Sequence, residues 1–282
     1  MLCFDGSQSL LIFGGPYSNL PATKAMRALA DDLQVSADHI FCTGDIVAYA
    51  AEPQETAEFI RNWGIHVIAG NCEEQLAAEA ENCGCGFEEG STCDMLSRSW
   101  YGFAAKNTSR EIRTWMASLP SSLRFEFAGL SCLALHGGTS QNNRFIFKSD
   151  TAALHEEAEN AQADIVFAGH AGIPFITRIA KTTWVNAGVI GVPANDGTQN
   201  GWYALVDAND TGVRISLRRM AYDYQSAAEA IRQAGHAIPY AEAIVNGIWP
   251  SHAVLPEAEL AQTGIKLRQK TIRLKRPAAS IR

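Results

Sequence analysis

The 282-residue sequence has no apolar run of the roughly 20 residues needed to cross a bilayer as a helix. Internal repeats and long Pro-, Gly- or Ser-rich linkers are also missing, so one domain over residues 1–282 is expected. The opening Met1-Leu2-Cys3-Phe4-Asp5-Gly6 has no basic stretch and no small-residue cleavage site, and no secretion signal is expected. Positive charge is short overall. Asp and Glu number 30 against 23 Lys and Arg, giving a net charge of −7, a sign that repels nucleic acid and anionic membranes. Cysteine is present, but in an odd number, seven, spread over a chain long enough to need no staples. Free thiols in a reducing, cytoplasmic compartment are therefore expected rather than a disulfide framework.

The sequence is well supplied with core-forming residues: 47% are hydrophobic, and they fall in short runs. Leu10-Leu11-Ile12-Phe13 runs into Gly14-Gly15 and a helical pattern from Lys24 to Leu33. His39-Ile40-Phe41-Cys42 ends in Thr43-Gly44-Asp45 before a helix over Gln54 to Trp63. Ile65-His66-Val67-Ile68-Ala69 ends in Gly70-Asn71, with a helix starting at Glu73. Three such units in a row imply parallel strands with crossover helices, whose chemistry collects at the carboxyl ends of the strands. Residues 82–99, rich in Cys, Gly and acids, show no period and read as an inserted loop or cap. A helix over Arg110 to Leu119 follows, then a hairpin of Arg124-Phe125-Glu126-Phe127 and Leu130 to Leu135. After a helix over Ala152 to Gln162 come strands at Ile165 to Ala168, Phe175 to Arg178, Thr183 to Val185, Trp202 to Val206 and Val213 to Leu217. The expected fold class is α/β, with two mixed sheets packed together and helices outside. The tail, residues 263–282, holds seven basic residues and no acid, so it is expected to be neutralised by its own acidic body or by a sister subunit in a homo-oligomer.

Four short signatures each follow an expected strand: Gly44-Asp45, Gly70-Asn71, His136-Gly137 and Gly169-His170. Each dipeptide is common, but their order and placement together are specific. With the stretches Gly44 to Pro53, Val166 to Phe175 and Trp184 to Gly188, the sequence resembles the calcineurin-like metallophosphoesterases, in their compact bacterial branch, from Leu10 to about Tyr224. The resemblance implies a four-layer α-β-β-α sandwich. It also implies a phosphatase or phosphodiesterase in which metal ions clamp the phosphoryl oxygens and lower the pKa of water.

By that resemblance Asp45, Asn71, His136 and His170 would hold one divalent transition metal, Mn, Fe or Zn. The ligands of the second position are replaced: Gly15 stands for an Asp, Tyr17 for a His and Gly172 for another His. Tyr17 would either fill the space or offer its phenol to the metal or a phosphate. Cys72 takes the place of a leaving-group His beside Glu73, and both are candidate catalytic residues; as a thiolate, Cys72 could instead join the metal. Cys83, Cys85 and Cys93 could form a structural zinc site or be ordinary thiols. The function expected is hydrolysis of a small phosphorylated substrate from one retained site. The alternative is a protein of this fold that has lost catalysis and binds a phosphorylated ligand or a partner.

Overall fold

The computed structural model describes residues 2–275, which build two six-stranded mixed sheets with helices on both outer faces. The first sheet has the order β1 (Leu2–Phe4), β5 (Ser122–Phe127), β6 (Leu130–Leu135), β7 (Ile165–Ala168), β9 (Thr182–Asn186) and β8 (Phe175–Ile179). The second has the order β12 (Lys270–Leu274), β11 (Gly212–Met220), β10 (Gly201–Asn209), β2 (Leu10–Phe13), β3 (Ile40–Cys42) and β4 (His66–Val67).

The period-2 alternation of strand side chains assembles the layers. Leu10 and Ile12 turn inward to meet Phe125, Phe127, Phe167 and Val185 of the facing sheet. Their neighbours Leu11 and Phe13 turn outward onto α1 (Leu20–Asp32), α2 (Pro53–Trp63) and α4 (Thr92–Asn107). On the opposite outer face Leu133, Val166 and Trp184 pack under α6 (Thr151–Ala161). The layers are therefore helix, sheet, sheet, helix, as the sequence led one to expect. Strands β2, β3 and β4 run parallel, as do β6 and β7, so their carboxyl ends meet along one rim.

The structure departs from the sequence reading in two places. Residues 82–91 are irregular, but 92–99 are the first half of the 16-residue α4, capped by Ser91 Oγ accepting from Asp94 N. The buried face of α4 is Cys93, Ser97, Trp100, Tyr101 and Ala104; its first turns have helical spacing but use small, weakly apolar residues, which hid the period.

The tail is the second. Residues 270–274 form β12, an antiparallel edge strand registered on β11 from Val213↔Leu274 to Leu217↔Lys270. Leu267, Ile272 and Leu274 pack against the inter-sheet core, and Lys270 Nζ donates to Ile176 O of the other sheet. Among the described residues none of Lys266, Arg268, Lys270, Arg273 or Lys275 pairs with a carboxylate. Arg276 and Arg282 lie outside the described residues. Backbone pairing and apolar contact hold this stretch to its own chain.

Truncation after Gly264 should therefore lower the thermal midpoint, because it strips an edge strand and three half-buried apolar side chains. Their burial contributes about 2 kcal/mol, worth about 4–8 °C in a chain near this size. A truncated chain that melts with the parent would contradict this placement.

Candidate metal centre

The site is assembled where the strand ends converge. Glycine makes the approach of the β3 and β4 ends feasible: Gly44 has φ +96°, and a Cβ there would lie 2.6 Å from Gly70 N. The next residue, Asp45, is itself left-handed at φ +56°, an uncommon place for a non-glycine. Glu73, in the first turn of α3 (Asn71–Ala77), holds it there. Its carboxylate is fully buried and accepts from Asp45 N at 2.8 Å, Ile46 N at 2.8 Å, Val47 N at 3.3 Å and Gly70 N at 2.9 Å. Burial and the Asp45 carboxylate push Glu73 up to about 7, against the pull of the N–H groups of Gly70 and Asp45. Both oxygens are taken, so the catalytic place read for Glu73 from the sequence gives way to that of a loop anchor.

Four side chains meet above this anchor. His136 Nε2 lies 3.1 Å from Asn71 Oδ1, 3.0 Å from His170 Nδ1 and 3.3 Å from Asp45 Oδ2, and His170 Nδ1 is 3.9 Å from the same oxygen. Donors bound at about 2.1 Å to one ion stand roughly 3.0–3.4 Å apart, so this spacing suits a shared cation. Asp45, His136 and His170 are the group of metal-capable His, Cys, Asp and Glu side chains found among the described residues. Asp45 Oδ1 is buried without a hydrogen-bond partner, a costly state for a carboxylate oxygen unless a cation faces it.

Two of the four side chains, His136 and Asn71, are oriented from behind by hydrogen bonds. His136 Nδ1–H donates to Thr43 O at 2.6 Å, which leaves the Nε2 lone pair of the neutral ring pointing at the other donors. Asn71 Nδ2 donates to Cys83 O at 2.8 Å, turning Oδ1 toward His136. His136 and His170 sit side by side because β6 and β7 are parallel neighbours, with Gly169 N and His170 N both bonded to His136 O. Burial disfavours the charge of Asp45, but His136 and His170 outweigh it and its pKa falls below the usual carboxylate value. Burial likewise opposes a charged His136, yet the Asp45 carboxylate raises it. His170 is pushed down to about 3 by burial and by His136, and so stays neutral.

The remaining candidates are distributed around this centre. Burial and the carboxylates of Asp45 and Glu73 drive the Cys72 thiol well above its ordinary value, so the side chain keeps its proton. Gly15, Tyr17 and Gly172 do lie together: the Tyr17 ring covers Gly15, and Tyr17 and Gly172 line one pocket with Asp45 and His170. Cys83 and Cys85 are joined as a disulfide, while Cys93 Sγ contacts Ser251 Oγ at 3.2 Å. The three sulfurs do not gather as a zinc site requires, and at this one place the expectation of free thiols gives way. His236 stacks on Phe103 and bonds Ala50 O, away from the centre. Sequence reading missed Tyr240 and Trp249, which wall the pocket from α8 (Ile238–Asn246) and the loop after it. They lie beyond the recognisable motifs, where no spacing singles them out.

Replacing Glu73 by Gln turns an NH2 group toward backbone N–H donors. About 2–3 kcal/mol of stability should be lost, with a clear fall in thermal midpoint, whereas Glu74→Gln on the exposed side of the same helix should change little. Equal midpoints for the two variants would contradict the anchoring part given to Glu73.

Comparison with known proteins agrees with this architecture. Protein MJ0912 of Methanocaldococcus jannaschii is 25% identical over 232 residues, covering 76% of this chain and 88% of that protein. The crystal structure of a metallophosphoesterase from Sphaerobacter thermophilus superposes with a TM-score of 0.67 at 19% identity, covering 86% of this chain and 99% of the other. Protein PH1004 of Pyrococcus horikoshii OT3 gives a TM-score of 0.72 at 17% identity with the same coverage. At such identities these structures speak for the fold alone. The model of the calcineurin-like phosphoesterase superfamily domain matches residues 21–211, and the chain belongs to that superfamily.

Proposed function

We propose that this protein is a metal-dependent phosphoester hydrolase that works from one divalent transition-metal ion, Mn, Fe or Zn, held by Asp45, Asn71, His136 and His170. The observation that carries the proposal is the convergence of four donor atoms at 3.0–3.9 Å with Asp45 Oδ1 left unpartnered. When bound, such an ion supplies Lewis-acid charge to a phosphoryl oxygen and lets water ionise near neutral pH. The protein's own part is orientation. Thr43 O fixes the His136 tautomer, Cys83 O fixes the Asn71 amide, and Glu73 fixes the backbone of Asp45. Cys72, beside Asn71 and protonated, is the residue best placed to offer a weak proton toward a leaving group.

The family's second metal position is read as lost in this chain. A Cβ on Gly15 would lie 2.5 Å from Tyr17 Cε2 and 2.6 Å from Val189 Cγ1, contacts that real side chains do not make. A Cβ on Gly172 would meet Trp249 at 3.4 Å, and residues 15, 17 and 172 have φ of +47°, +51° and +69°. At Gly15 the close contacts exclude a ligand-bearing side chain, whereas the left-handed backbone at Gly172 adds strain of the kind that Asp45 and Tyr17 already bear. One ion supplies only part of a two-metal clamp, so slow or narrow activity follows. The second reading, a phosphoryl-binding protein without catalysis, is favoured by the same filling of the second position by Tyr17.

Elemental analysis of the purified chain should find one equivalent of transition metal, falling toward zero in Asp45→Ala and in His170→Ala. Hydrolysis of an aryl phosphodiester should vanish with it. Two equivalents in the parent, or full metal in both variants, would overturn the ligand set. One equivalent without turnover would favour the binding reading.

A further inference from the structure

The pocket that opens onto Asp45 and His170 has an aromatic wall of Tyr17, Tyr49, Phe87, Phe145, Tyr240 and Trp249. It is narrow, with a cavity volume of about 70 Å³, room for a handful of waters. Tyr17 packs on Tyr49 at a centroid distance of 4.6 Å, and Tyr49 stacks on Tyr240 at 4.3 Å and 14°. These three rings come from three separate places, the loop after β2, the loop after β3 and helix α8, yet form one stack at the metal-capable site.

Their hydroxyls distinguish them from other buried tyrosines. Tyr101 bonds Ala80 O and Tyr222 bonds Asn19, whereas those of Tyr17, Tyr49 and Tyr240 have no partner among the described residues. Tyr17 is 4% exposed, and it lines the pocket, so its hydroxyl is available to donate to a group that enters there. At an ordinary phenol pKa of about 10 all three are donors at neutral pH, and burial pushes each one further up. Tyr17 also covers Gly15 and lines the same pocket as Gly172, the positions read as replaced ligands of a second ion.

The charge of the site restricts what can enter. No Lys or Arg lines the pocket, and the negative charge of Asp45 offsets half of a single dication. A net single positive charge is left to face an anion, which matches a monoanion. A phosphodiester carries one negative charge, whereas a monoester near neutral pH carries close to two and a polyphosphate more. The wall itself suits a flat, uncharged ring, which stacks or meets aromatic edges without bringing charge.

Resting on the one-metal reading above, we propose that Tyr17, Tyr49 and Tyr240 stand in for the missing second cation by donating hydroxyl hydrogen bonds to the phosphoryl group, and that the substrate is a phosphodiester bearing an uncharged aromatic group that lies against the aromatic wall at the pocket's mouth. Hydrogen bonds to a charged oxygen are the strong kind, and preformed donors in a dry site need no reorganisation. The hydroxyls therefore replace charge with oriented dipoles, which is enough for a monoanion and poor for a dianion.

Calorimetry with phosphonates, run over times in which a product assay finds no ester cleavage, tests this apart from turnover, with metal content measured on the same full-length samples. Phenyl methylphosphonate, a monoanion with a ring, should bind at least about tenfold more tightly than methyl methylphosphonate, which lacks the ring, or than the phenylphosphonate dianion. Tyr17→Phe and Tyr240→Phe keep the rings, so folding should be preserved. Each should weaken phenyl methylphosphonate binding by about 10-fold without changing metal content. Phenylphosphonate binding as well as or better than phenyl methylphosphonate, or Phe variants that bind like the parent while holding the same metal, would overturn the proposal. So would loss of the ring preference on the parent alone, which needs no variant to fold. A parent without metal would remove the one-metal reading and this proposal with it, and the elemental analysis tells that case from the others.

Discussion

The rest of the site depends on one buried carboxylate. Glu73 accepts four backbone N–H groups from two strand-end loops, Asp45 to Val47 and Gly70, and has no oxygen free for anything else. Those bonds hold Asp45 in a left-handed conformation that its own side chain disfavours, and they lock the start of α3, which carries Asn71. Two of the four donors facing the centre thus take their positions from one residue that does not face it. The other two come from the opposite sheet, whose parallel pair β6 and β7 sets His136 and His170 side by side. The hydrogen bond from His136 to Thr43 O spans the sheets and ties the halves of the site together.

On this frame the proposed one-metal reading sets two sides of the pocket apart. The Asp45, Asn71, His136 and His170 side retains its oriented supports, including the backbone of Cys83 within the irregular stretch before α4. The Gly15, Tyr17 and Gly172 side has been filled by rings, with Tyr17 over Gly15 and Trp249 against Gly172. Trp249 is itself fixed by hydrogen bonds to Pro193 O and Asn195 Oδ1, so the filling is built into the fold rather than resting loosely on it. Neutral rings in place of a second cation, as proposed, would turn the pocket's preference from highly charged phosphates toward esters with little charge and flat groups.

Much of this architecture was legible in the sequence because its signals are local. Leu10-Leu11-Ile12-Phe13 reads as a strand buried on both faces, and the strand-end dipeptides mark where parallel strands stop. Helix α4 was half hidden because Cys93 and Ser97 occupy its buried face, and β12 because a run of basic residues reads as a tail neutralised by the acidic body or a sister subunit. For Glu73 the residue was visible but its part was not: a carboxylate beside a ligand can be an acid, a ligand or an anchor, and only the positions of four backbone N–H groups decide. Tyr240 and Trp249 reach the pocket through tertiary packing alone, since they are about 200 residues from Asp45 and belong to no motif of spacing.

The central claim is a single cation with aromatic rings where a second would sit. Diffraction recorded at the absorption edge of manganese, from crystals grown in excess Mn, would locate every bound ion directly. One strong anomalous peak is expected, about 2.0–2.3 Å from Asp45 Oδ2, Asn71 Oδ1, His136 Nε2 and His170 Nδ1. A second peak between Tyr17 and Gly172, or a lone peak among Cys83, Cys85 and Cys93, would contradict it.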